Sequence, residues 1–255
     1  YTTNLSGSYV GIGVQYYESE SGSFIIQRVF EDSPAQKSGL EAGDILIAVS
    51  GISVEGTDIN EVSELVMGAE GTDVTITIVR DNKEMDVTME RAQVMHSAFG
   101  EEIADNIGYI QLDQFGETTA TEVLRYLEKF EGKDSKLIID VRDNGGGYLS
   151  SVVDIVSYFV VKDETVLITE NKSGNQTFEV TNSDKQFTFD KIVILVNQNT
   201  ASASEVLTAA LQEHLDNVTV IGVNTYGKGT VQQTRMFDDN SAIKYTTAEW
   251  LSPSG

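Results

Sequence analysis

The sequence lacks cysteine altogether and contains only two histidines, His96 and His214. The absence of cysteine excludes disulfide bonds, thiolate metal sites and a cysteine nucleophile, although it leaves the cellular compartment open. Two histidines are also too few for a zinc site that is built mainly on imidazole ligands. We therefore predict that this chain holds no metal.

Basic side chains and long apolar runs are scarce as well. There are 17 Lys and Arg residues against 40 Asp and Glu residues, so the net charge is −23. Such a surface repels nucleic acid and anionic membranes. No apolar run reaches the roughly 18 residues of a membrane-spanning helix, and no signal peptide opens the chain. Because the sequence starts at Tyr1 without Met, we expect a fragment or mature form, with membrane association only through missing ends.

The length and the hydrophobic content predict two globular domains. The chain has 255 residues, of which 40% are hydrophobic, and this is enough for two cores. After a short N-terminal remnant (1–8), residues 9–92 read as a first domain with a strand at 9–16 and a helix that starts at Pro34 and ends at Gly39. Strict alternation predicts further strands at 74–79 and 85–89. Residues 93–105 are expected to be a connector.

This order of elements, together with the motif SPAQKSGLEAGDILIAVSG (33–51), resembles a PDZ domain of the bacterial, protease-associated type. The resemblance implies a groove that binds a peptide as an additional strand and holds its C-terminal carboxylate on backbone N–H groups. By position, the carboxylate loop would be Val10, Gly11, Ile12 and Gly13. The glycines allow backbone N–H groups to turn toward an anion, although glycines alone are equally typical of a plain tight turn.

Residues 106–255 alternate strands with helices, which predicts an α/β core with parallel strand pairs and short β-hairpins. Ser202 stands where an apolar strand (192–196) passes into a helix (206–215). Lys228 stands between two glycines after another predicted strand (218–223). The remaining hairpins are expected at 166–180 and 236–247, and a helix is expected at 148–161.

A serine hydroxyl is a poor nucleophile until a base takes its proton. His214 lies twelve residues after Ser202 on the same predicted helix, about 18 Å away, which argues against a Ser-His pair. A desolvated lysine can act as the base instead, and Lys228 suits that role. The alternatives for Lys228 are an ordinary surface lysine or part of a phosphate loop, but the upstream glycine of the phosphate-loop motif is absent.

The reaction also needs backbone N–H donors where the tetrahedral oxygen forms. The N–H group of Ala203 follows Ser202 at the start of a helix, where the helix dipole favours negative charge. Three consecutive glycines (145–147) end another predicted strand, and a glycine there can bring its N–H group close to a substrate carbonyl. A flexible turn is the alternative for these glycines.

Three motifs now point to one family: IDVRDNGGGYL (139–149), NTASASE (199–205) and YGKGTVQ (226–232). In this order after a PDZ domain, they resemble the carboxyl-terminal processing proteases, PDZ-containing serine peptidases of family S41 with a Ser-Lys dyad. The resemblance implies a ClpP/crotonase-like α/β core, so that the chain is α+β overall, and it implies no cofactor. By motif position, Ser202 is the nucleophile, Lys228 the base and Gln232 the residue that orients the lysine. Ala203 and a glycine of the pair Gly146 and Gly147 would form the oxyanion hole.

The resemblance implies a bacterial, extracytoplasmic serine endopeptidase that acts on proteins or peptides with exposed apolar C-termini. Its PDZ domain would deliver substrates, gate the site, or both. The alternative is a non-catalytic binding protein, such as a PDZ adaptor or a retinoid-binding relative with a silent core. Two departures from the family pattern stand out: Ser202 and Lys228 are 26 positions apart (228 − 202), one more than expected, and Gly145 replaces the usual proline. The regions used for assembly are missing, so a homo-oligomer stays open.

Overall fold

The computed structural model describes residues 8–95, 97–132, 135–237, 239 and 241–255. The chain divides into two compact units, one of residues 8–96 and the other including residues 97–255. The predicted α/β class with a PDZ domain and a separate core is confirmed.

The first unit is mostly antiparallel β-structure. Its elements are β1 (Ser8–Gly11), β2 (Val14–Glu18), β3 (Phe24–Val29), α1 (Pro34–Lys37), β4 (Ile45–Val49), β5 (Ile52–Ser53), α2 (Ile59–Val66), β6 (Asp73–Arg80), β7 (Lys83–Glu90) and β8 (Ala92–Met95). The main sheet has the order β2-β3-β4-β6-β7, with β5 paired to β4, while β1 pairs with β8 in a separate ribbon. Alternate residues of β6, such as Val74, Ile76 and Ile78, are buried in the core of this unit.

The strand predicted at 9–16 is in fact two strands, because the backbone turns between β1 and β2. Gly13 adopts φ 83° there. A Cβ atom at this position would lie 2.2 Å from the Cβ of Ser33, so the turn requires glycine. The prediction for the next helix agrees with the structure: Ser33 caps α1 through its side chain, and Pro34 is the first residue of the helix.

The segment 93–105, expected to be a connector, contains two strands instead. β8 pairs with β1, and β9 (Ala98–Ala104) pairs antiparallel with β10 (Ile107–Leu112). Most of β9 is exposed and carries Glu101 and Glu102. Its sequence therefore has no apolar alternation from which a strand could be predicted.

Among its described residues, the second unit contains two sheets and three helices. Its elements are β9, β10 (Ile107–Leu112), α3 (Thr119–Phe130), β11 (Lys136–Asp140), α4 (Leu149–Val156), β12 (Thr165–Asn171), β13 (Gln176–Val180), β14 (Lys191–Val196), α5 (Ala203–His214), β15 (Val218–Gly222), β16 (Thr230–Met236) and β17 (Ala242–Leu251). The first sheet has the order β15-β14-β11-β10-β9, and all of its pairs except β10–β9 are parallel. The second sheet is antiparallel, with the order β13-β12-β17-β16.

The parallel sheet determines where a site can form. Its strands β11 and β14 are largely apolar and pack against the helices in one core. Because β11, β14 and β15 run in parallel, their carboxyl ends lie at the same edge of the sheet. The loops that follow these strands therefore meet there.

The last hairpin is longer than predicted. β16 starts at Thr230, directly after Gly229, and it pairs with β17 over its whole length. The sequence of β16, TVQQTRM, is mainly polar and mostly exposed, so hydrophobic periodicity does not reveal it. The helix predicted at 148–161 is shorter than expected, because α4 ends at Val156.

One buried carboxylate holds the start of the second unit. Glu122, in the first turn of α3, is 5% exposed. Its two oxygens accept hydrogen bonds from the N–H groups of Ser97 and Ala98 and from the hydroxyls of Ser97 and Thr118, at 2.6–3.1 Å. Removal of this carboxylate would leave buried donors without an acceptor, which is the costly case.

We expect Glu122→Ala to lower the free energy of unfolding of the second unit by about 2–4 kcal/mol. Urea unfolding followed by fluorescence measures this, because the single tryptophan, Trp250, lies in β17 of that unit. The matched control is Glu128→Ala on the same helix. Among the described residues, Glu128 forms an exposed ion pair with Lys185, which is worth about 0–1 kcal/mol. Equal losses in the two variants would contradict the role given to Glu122.

Candidate active site

Ser202 lies at the junction between β14 and α5. It adopts φ 56°, which is unusual for a residue other than glycine and is typical of strained functional positions. Its neighbours Ala201 and Ala203 are buried, whereas Ser202 is partly exposed. The backbone thus turns sharply at this residue and presents it at the edge of the sheet.

The two neighbouring hydroxyls have other roles. The hydroxyl of Thr200 donates to the carbonyl of Val141 (2.8 Å), and the hydroxyl of Ser204 donates to the carbonyl of Asn144 (2.9 Å). Thr200 and Ser204 are completely buried. Of the three hydroxyls, only that of Ser202 lines the cavity described below.

The carboxylate of Glu205 joins Ser202 to Lys228. One oxygen accepts hydrogen bonds from the N–H groups of Ser202 (2.7 Å) and Lys228 (3.0 Å). The other oxygen accepts hydrogen bonds from the N–H group of Gly227 and the hydroxyl of Thr225, both at 2.7 Å. Glu205 is 8% exposed and lies in the first turn of α5, where the helix dipole favours a negative charge. Sequence reasoning missed the connection of Glu205 to Lys228, because the two residues lie in different segments that are 23 positions apart (228 − 205).

Further contacts fix the segment around Lys228, residues 223–229, which we call the lysine loop. The N–H group of Tyr226 donates to the carbonyl of Thr200 at 2.9 Å. From β17, the indole N–H of Trp250 donates to the carbonyl of Lys228 (2.6 Å), and the backbone N–H of Trp250 donates to the carbonyl of Gly229 (2.9 Å). The backbone of the lysine loop is therefore held from both sheets of the unit.

The glycine loop, residues 141–148, follows β11. Its start is held by hydrogen bonds to the carboxylate of Asp140, the last residue of β11. Asp140 accepts hydrogen bonds from the guanidinium of Arg142 and the hydroxyl of Tyr109. Burial raises the pKa of Asp140, but the hydrogen bonds from Arg142 and Tyr109 bring this pKa below its usual range. Burial and the Asp140 carboxylate raise the pKa of Tyr109 to about 12, so its hydroxyl stays a donor at neutral pH.

Asn144 connects the glycine loop to its surroundings. Its side-chain N–H group donates to the carbonyl of Leu112 (2.8 Å), and its side-chain oxygen accepts the N–H group of Gly146 (2.9 Å). Its backbone carbonyl accepts the N–H group of Ala201 and the hydroxyl of Ser204. Sequence reasoning missed this residue, since the motif alone does not show where an asparagine side chain points.

Gly146 and Gly147 pack too closely for any side chain. A Cβ atom at Gly146 would lie 2.9 Å from the Cβ of Ser202, and one at Gly147 would lie 2.2 Å from the carbonyl oxygen of Phe115. Both glycines have positive φ, 103° and 151°. The N–H group of Gly146 already donates to Asn144. Gly147 and Ala203 are therefore the candidates that remain for an oxyanion hole.

The predicted residues meet in one cavity of about 860 Å³. Ser202, Lys228, Gln232, Gly146 and Gly147 line it, together with Asp113, Gln114, Asp143, Gly145, Tyr148, Leu149, Thr230, Val231, Thr234, Lys244 and Trp250. Ala203 is buried directly behind Ser202. Within the described part of the chain, no hydrogen bond joins the side chain of Lys228 to Ser202 or to Gln232.

The histidine at the end of α5 does not line this cavity. The ring of His214, at the end of α5, hydrogen-bonds the carbonyl of Thr165 (2.7 Å), and His96 lies outside the described residues. Over the residues described, no three metal-binding side chains come together, and none of the helices has the length and apolar character needed to cross a membrane.

The predicted carboxylate loop lies in the first unit. Val10 and Gly11 end β1 and pair with β8, while Ile12 and Gly13 form the turn into β2. The carbonyl of Ile12 accepts the N–H group of Ala35 in α1, and the carbonyl of Gly13 accepts that of Phe30. These bonds hold the loop against the start of α1.

Solved structures share this fold. The photosystem II D1 C-terminal processing protease aligns with 99% of this chain and 70% of its own, with a TM-score of 0.56 and 23% identity. An S41-type structure from Bacteroides fragilis aligns with 97% of this chain and 72% of its own, with a TM-score of 0.64 and 15% identity. The chain thus shares its fold with these proteins, and its candidate site lies at a strand-to-helix turn of that fold.

Sequence comparison identifies the family. The model of peptidase family S41 matches residues 106–255, and that of the PDZ domain matches residues 25–80. The chain therefore belongs to peptidase family S41, as its motifs predict. It is 37% identical over 255 residues to the carboxy-terminal processing protease CtpA of Bacillus subtilis, covering 98% of this chain and 54% of that protein. It is also 36% identical to a probable CtpA-like serine protease of Staphylococcus haemolyticus, covering 100% and 51%. The chain thus spans about half the length of these curated relatives.

We expect Glu205→Ala to release the lysine loop. Without the carboxylate, the N–H groups of Gly227 and Lys228 lose their acceptor, and their amide hydrogens should exchange about tenfold faster or more. Hydrogen exchange resolved by residue measures this. Glu213→Ala is the matched control, because Glu213 lies near the other end of α5 and accepts the N–H group of Ser254 instead. Unchanged exchange at both amides in Glu205→Ala would contradict the connection.

Proposed function

We propose that this chain is the PDZ and catalytic portion of a serine endopeptidase that uses a Ser202-Lys228 dyad. The observation that carries this proposal is the single cavity lined by Ser202, Lys228, Gln232 and the glycine loop. Two further features support it: Gly146 packs tightly against Ser202, and Ser202 has a positive φ. A strained backbone of this kind is found mainly at functional sites.

In the proposed reaction, the neutral amine of Lys228 takes the proton of the Ser202 hydroxyl as Ser202 attacks the scissile carbonyl carbon. The N–H groups of Ala203 and Gly147 would stabilise the negative oxygen. Lys228 then gives the proton to the leaving amine, and an acyl-enzyme on Ser202 remains. Lys228 next takes a proton from a water molecule as the water oxygen attacks the ester carbonyl carbon. It then gives this proton to the Ser202 oxygen as the acyl–oxygen bond breaks, which releases the second product and restores both side chains.

No hydrogen bond joins Ser202 and Lys228 in the present geometry, so the two side chains must approach each other before the reaction. The backbone of the lysine loop is fixed by Glu205 and Trp250, and the required movement therefore falls to the side chain of Lys228 and its χ angles. Gln232 lies on the same cavity wall and would orient the amine once it approaches Ser202.

We further propose that the substrates are proteins or peptides with accessible, apolar C-termini, which the PDZ unit recognises. The family resemblance favours an extracytoplasmic location in bacteria and leaves homo-oligomers open. These statements rest on what the family implies, since the chain spans only half of the relatives it matches.

We expect Ser202→Ala to lower the rate of cleavage of an unfolded protein, such as reduced casein, by about ten-thousandfold or more. Ser204→Ala is the matched control. It removes a hydroxyl two positions away and should cost about 1 kcal/mol of stability while cleavage is retained. Gel-based cleavage assays and circular dichroism measure the two effects.

Cleavage by Ser202→Ala at the wild-type rate would refute the proposal. A serine-directed fluorophosphonate probe gives a second measurement, read by mass spectrometry. A wild-type chain that neither cleaves nor forms an adduct on Ser202 would favour the alternative of a binding protein with a silent core.

A further inference from the structure

The cavity holds a second lysine, Lys244, that the proposed reaction does not use. Lys244 lies in β17 directly opposite Thr234 of β16, and Thr234 is two residues after Gln232. Directly opposed residues of an antiparallel pair point to the same face of the sheet, as do residues two apart on one strand. Gln232, Thr234 and Lys244 therefore form one wall of the cavity, as its lining also shows.

The charge of Lys244 is not neutralised within the described part of the chain. There its side chain forms no ion pair or hydrogen bond, whereas Arg80, Arg142, Lys162 and Lys185 all have acidic partners. This is notable in a chain with 40 acidic and 17 basic residues. The two carboxylates that line the cavity are already engaged: Asp113 accepts a hydrogen bond from the side-chain amide of Gln111, and Asp143 accepts hydrogen bonds from those of Asn197 and Asn199, which lower the pKa of Asp143.

Lys228 cannot be the cation that attracts a substrate, because the proposed reaction needs it as a neutral amine. β16 is the edge strand of its sheet among the described elements and runs away from the lysine loop along the cavity. Thr234 is six positions after Lys228 (234 − 228), or at most about 20 Å of extended chain. An extended peptide along β16 would thus pass Lys244 within about six residues of its scissile bond.

We infer that Lys244 is a specificity-determining residue that binds a carboxylate of the substrate within about six residues of the cleaved bond. This inference rests on the proposed function of the same cavity. The carboxylate can come from an acidic side chain or from the C-terminus of the peptide, and both have the same chemistry. An exposed ion pair of this kind changes binding by about threefold to fivefold and weakens as salt is added.

The test compares kcat/KM for fluorogenic peptides that differ only by Glu or Gln at each of six positions on either side of one cleavable bond. All of these peptides have amidated C-termini, and a second pair differs only in a free or amidated C-terminus. We expect the wild type to prefer the carboxylate about threefold to fivefold at one position or in the second pair. The preference should vanish in Lys244→Gln and reverse in Lys244→Glu.

The matched control is Arg235→Gln, because Arg235 is next to Thr234 in β16 and therefore points to the opposite face of the sheet. It should leave the preference unchanged. Equal preferences in the wild type and Lys244→Gln, with cleavage that still depends on Ser202, would overturn the inference alone. If cleavage is absent or persists in Ser202→Ala, the proposed function itself fails. In that case, binding of the same peptides is measured by fluorescence anisotropy with Ser202→Ala and with the double variant that also carries Lys244→Gln. A carboxylate preference that only the first variant shows supports the role of Lys244, and equal preferences overturn it.

In the first unit, Tyr9 directly precedes the predicted carboxylate loop, and Tyr16 lies on β2. The ring of Tyr9 lies against Gly11, where a Cβ atom would come within 2.6 Å of it, and the backbone N–H groups of Gly13 and Val14 act to lower the pKa of its hydroxyl. Burial raises the pKa of Tyr9 to about 12, so that this hydroxyl is neutral at physiological pH. The predicted carboxylate loop therefore already has an acceptor for these N–H groups.

The second hydroxyl, that of Tyr16, lies on β2, the edge strand of the main sheet to which a peptide would add. It hydrogen-bonds the hydroxyl of Ser63 on α2 at 2.7 Å, and its ring packs edge-to-face on Phe24. This contact connects β2 directly to α2, across the place where an additional strand would lie.

We propose that Tyr9 and Tyr16 keep the groove of the first unit closed, and that a peptide must displace both hydroxyls. A carboxylate is a stronger acceptor than a neutral phenol, so a free C-terminus can replace Tyr9 at the loop. The cost of this displacement lowers the affinity for peptides in general and favours those with a free C-terminal carboxylate.

The test measures binding of a short fluorescein-labelled peptide with an apolar C-terminal residue to the whole chain. We expect Tyr16→Phe to tighten binding about threefold to tenfold whether the C-terminus is free or amidated, and Tyr9→Phe to do so for the free C-terminus only. The matched control is Tyr17→Phe, since the exposed Tyr17 lies on the other face of β2. Unchanged or weaker binding in both variants, with unfolding curves that show intact folds, would overturn the proposal.

Discussion

The candidate site depends on one buried carboxylate, that of Glu205. Its two oxygens hold the N–H groups of Ser202, Gly227 and Lys228, which come from two loops that are more than twenty positions apart in the sequence. A carboxylate can accept several hydrogen bonds at once, and in a buried position such charge-assisted bonds are strong. The turn at Ser202 and the lysine loop are therefore fixed relative to each other through their backbones, not through the side chains of Ser202 and Lys228.

The parallel sheet makes this arrangement available. The carboxyl ends of β11, β14 and β15 lie side by side, so the glycine loop, Ser202 and the lysine loop need only short connections to meet. Asn144 then joins the glycine loop to the segment around Ser202 through its backbone carbonyl. At Gly146 the two segments approach so closely that a single Cβ atom would collide with Ser202. The demand for glycine in this motif thus follows from packing.

Sequence reasoning predicted the features that depend on residues close together in the chain. The strand-to-helix turn at Ser202, the Gly-Lys-Gly segment around Lys228 and the family itself could all be predicted from short motifs. It failed where exposed strands carry polar residues. β9 and β16 lack the apolar alternation on which a strand prediction depends, and hydrogen bonds to their neighbours hold them in place instead. For this reason, residues 93–105 were wrongly expected to be a connector, and the last hairpin was predicted to be shorter than it is.

By itself, the sequence determined the two units, the family and the positions of Ser202, Lys228 and the glycines, because these depend on residue type and short spacing. Only the tertiary structure decided which groups hydrogen-bond these residues or lie beside them. It placed Glu205 between two loops, engaged the N–H group of Gly146 with Asn144 and brought Lys244 into the cavity. The physical reason is that these contacts join segments that are distant along the chain. Their geometry depends on how the sheet packs, and no local pattern records it.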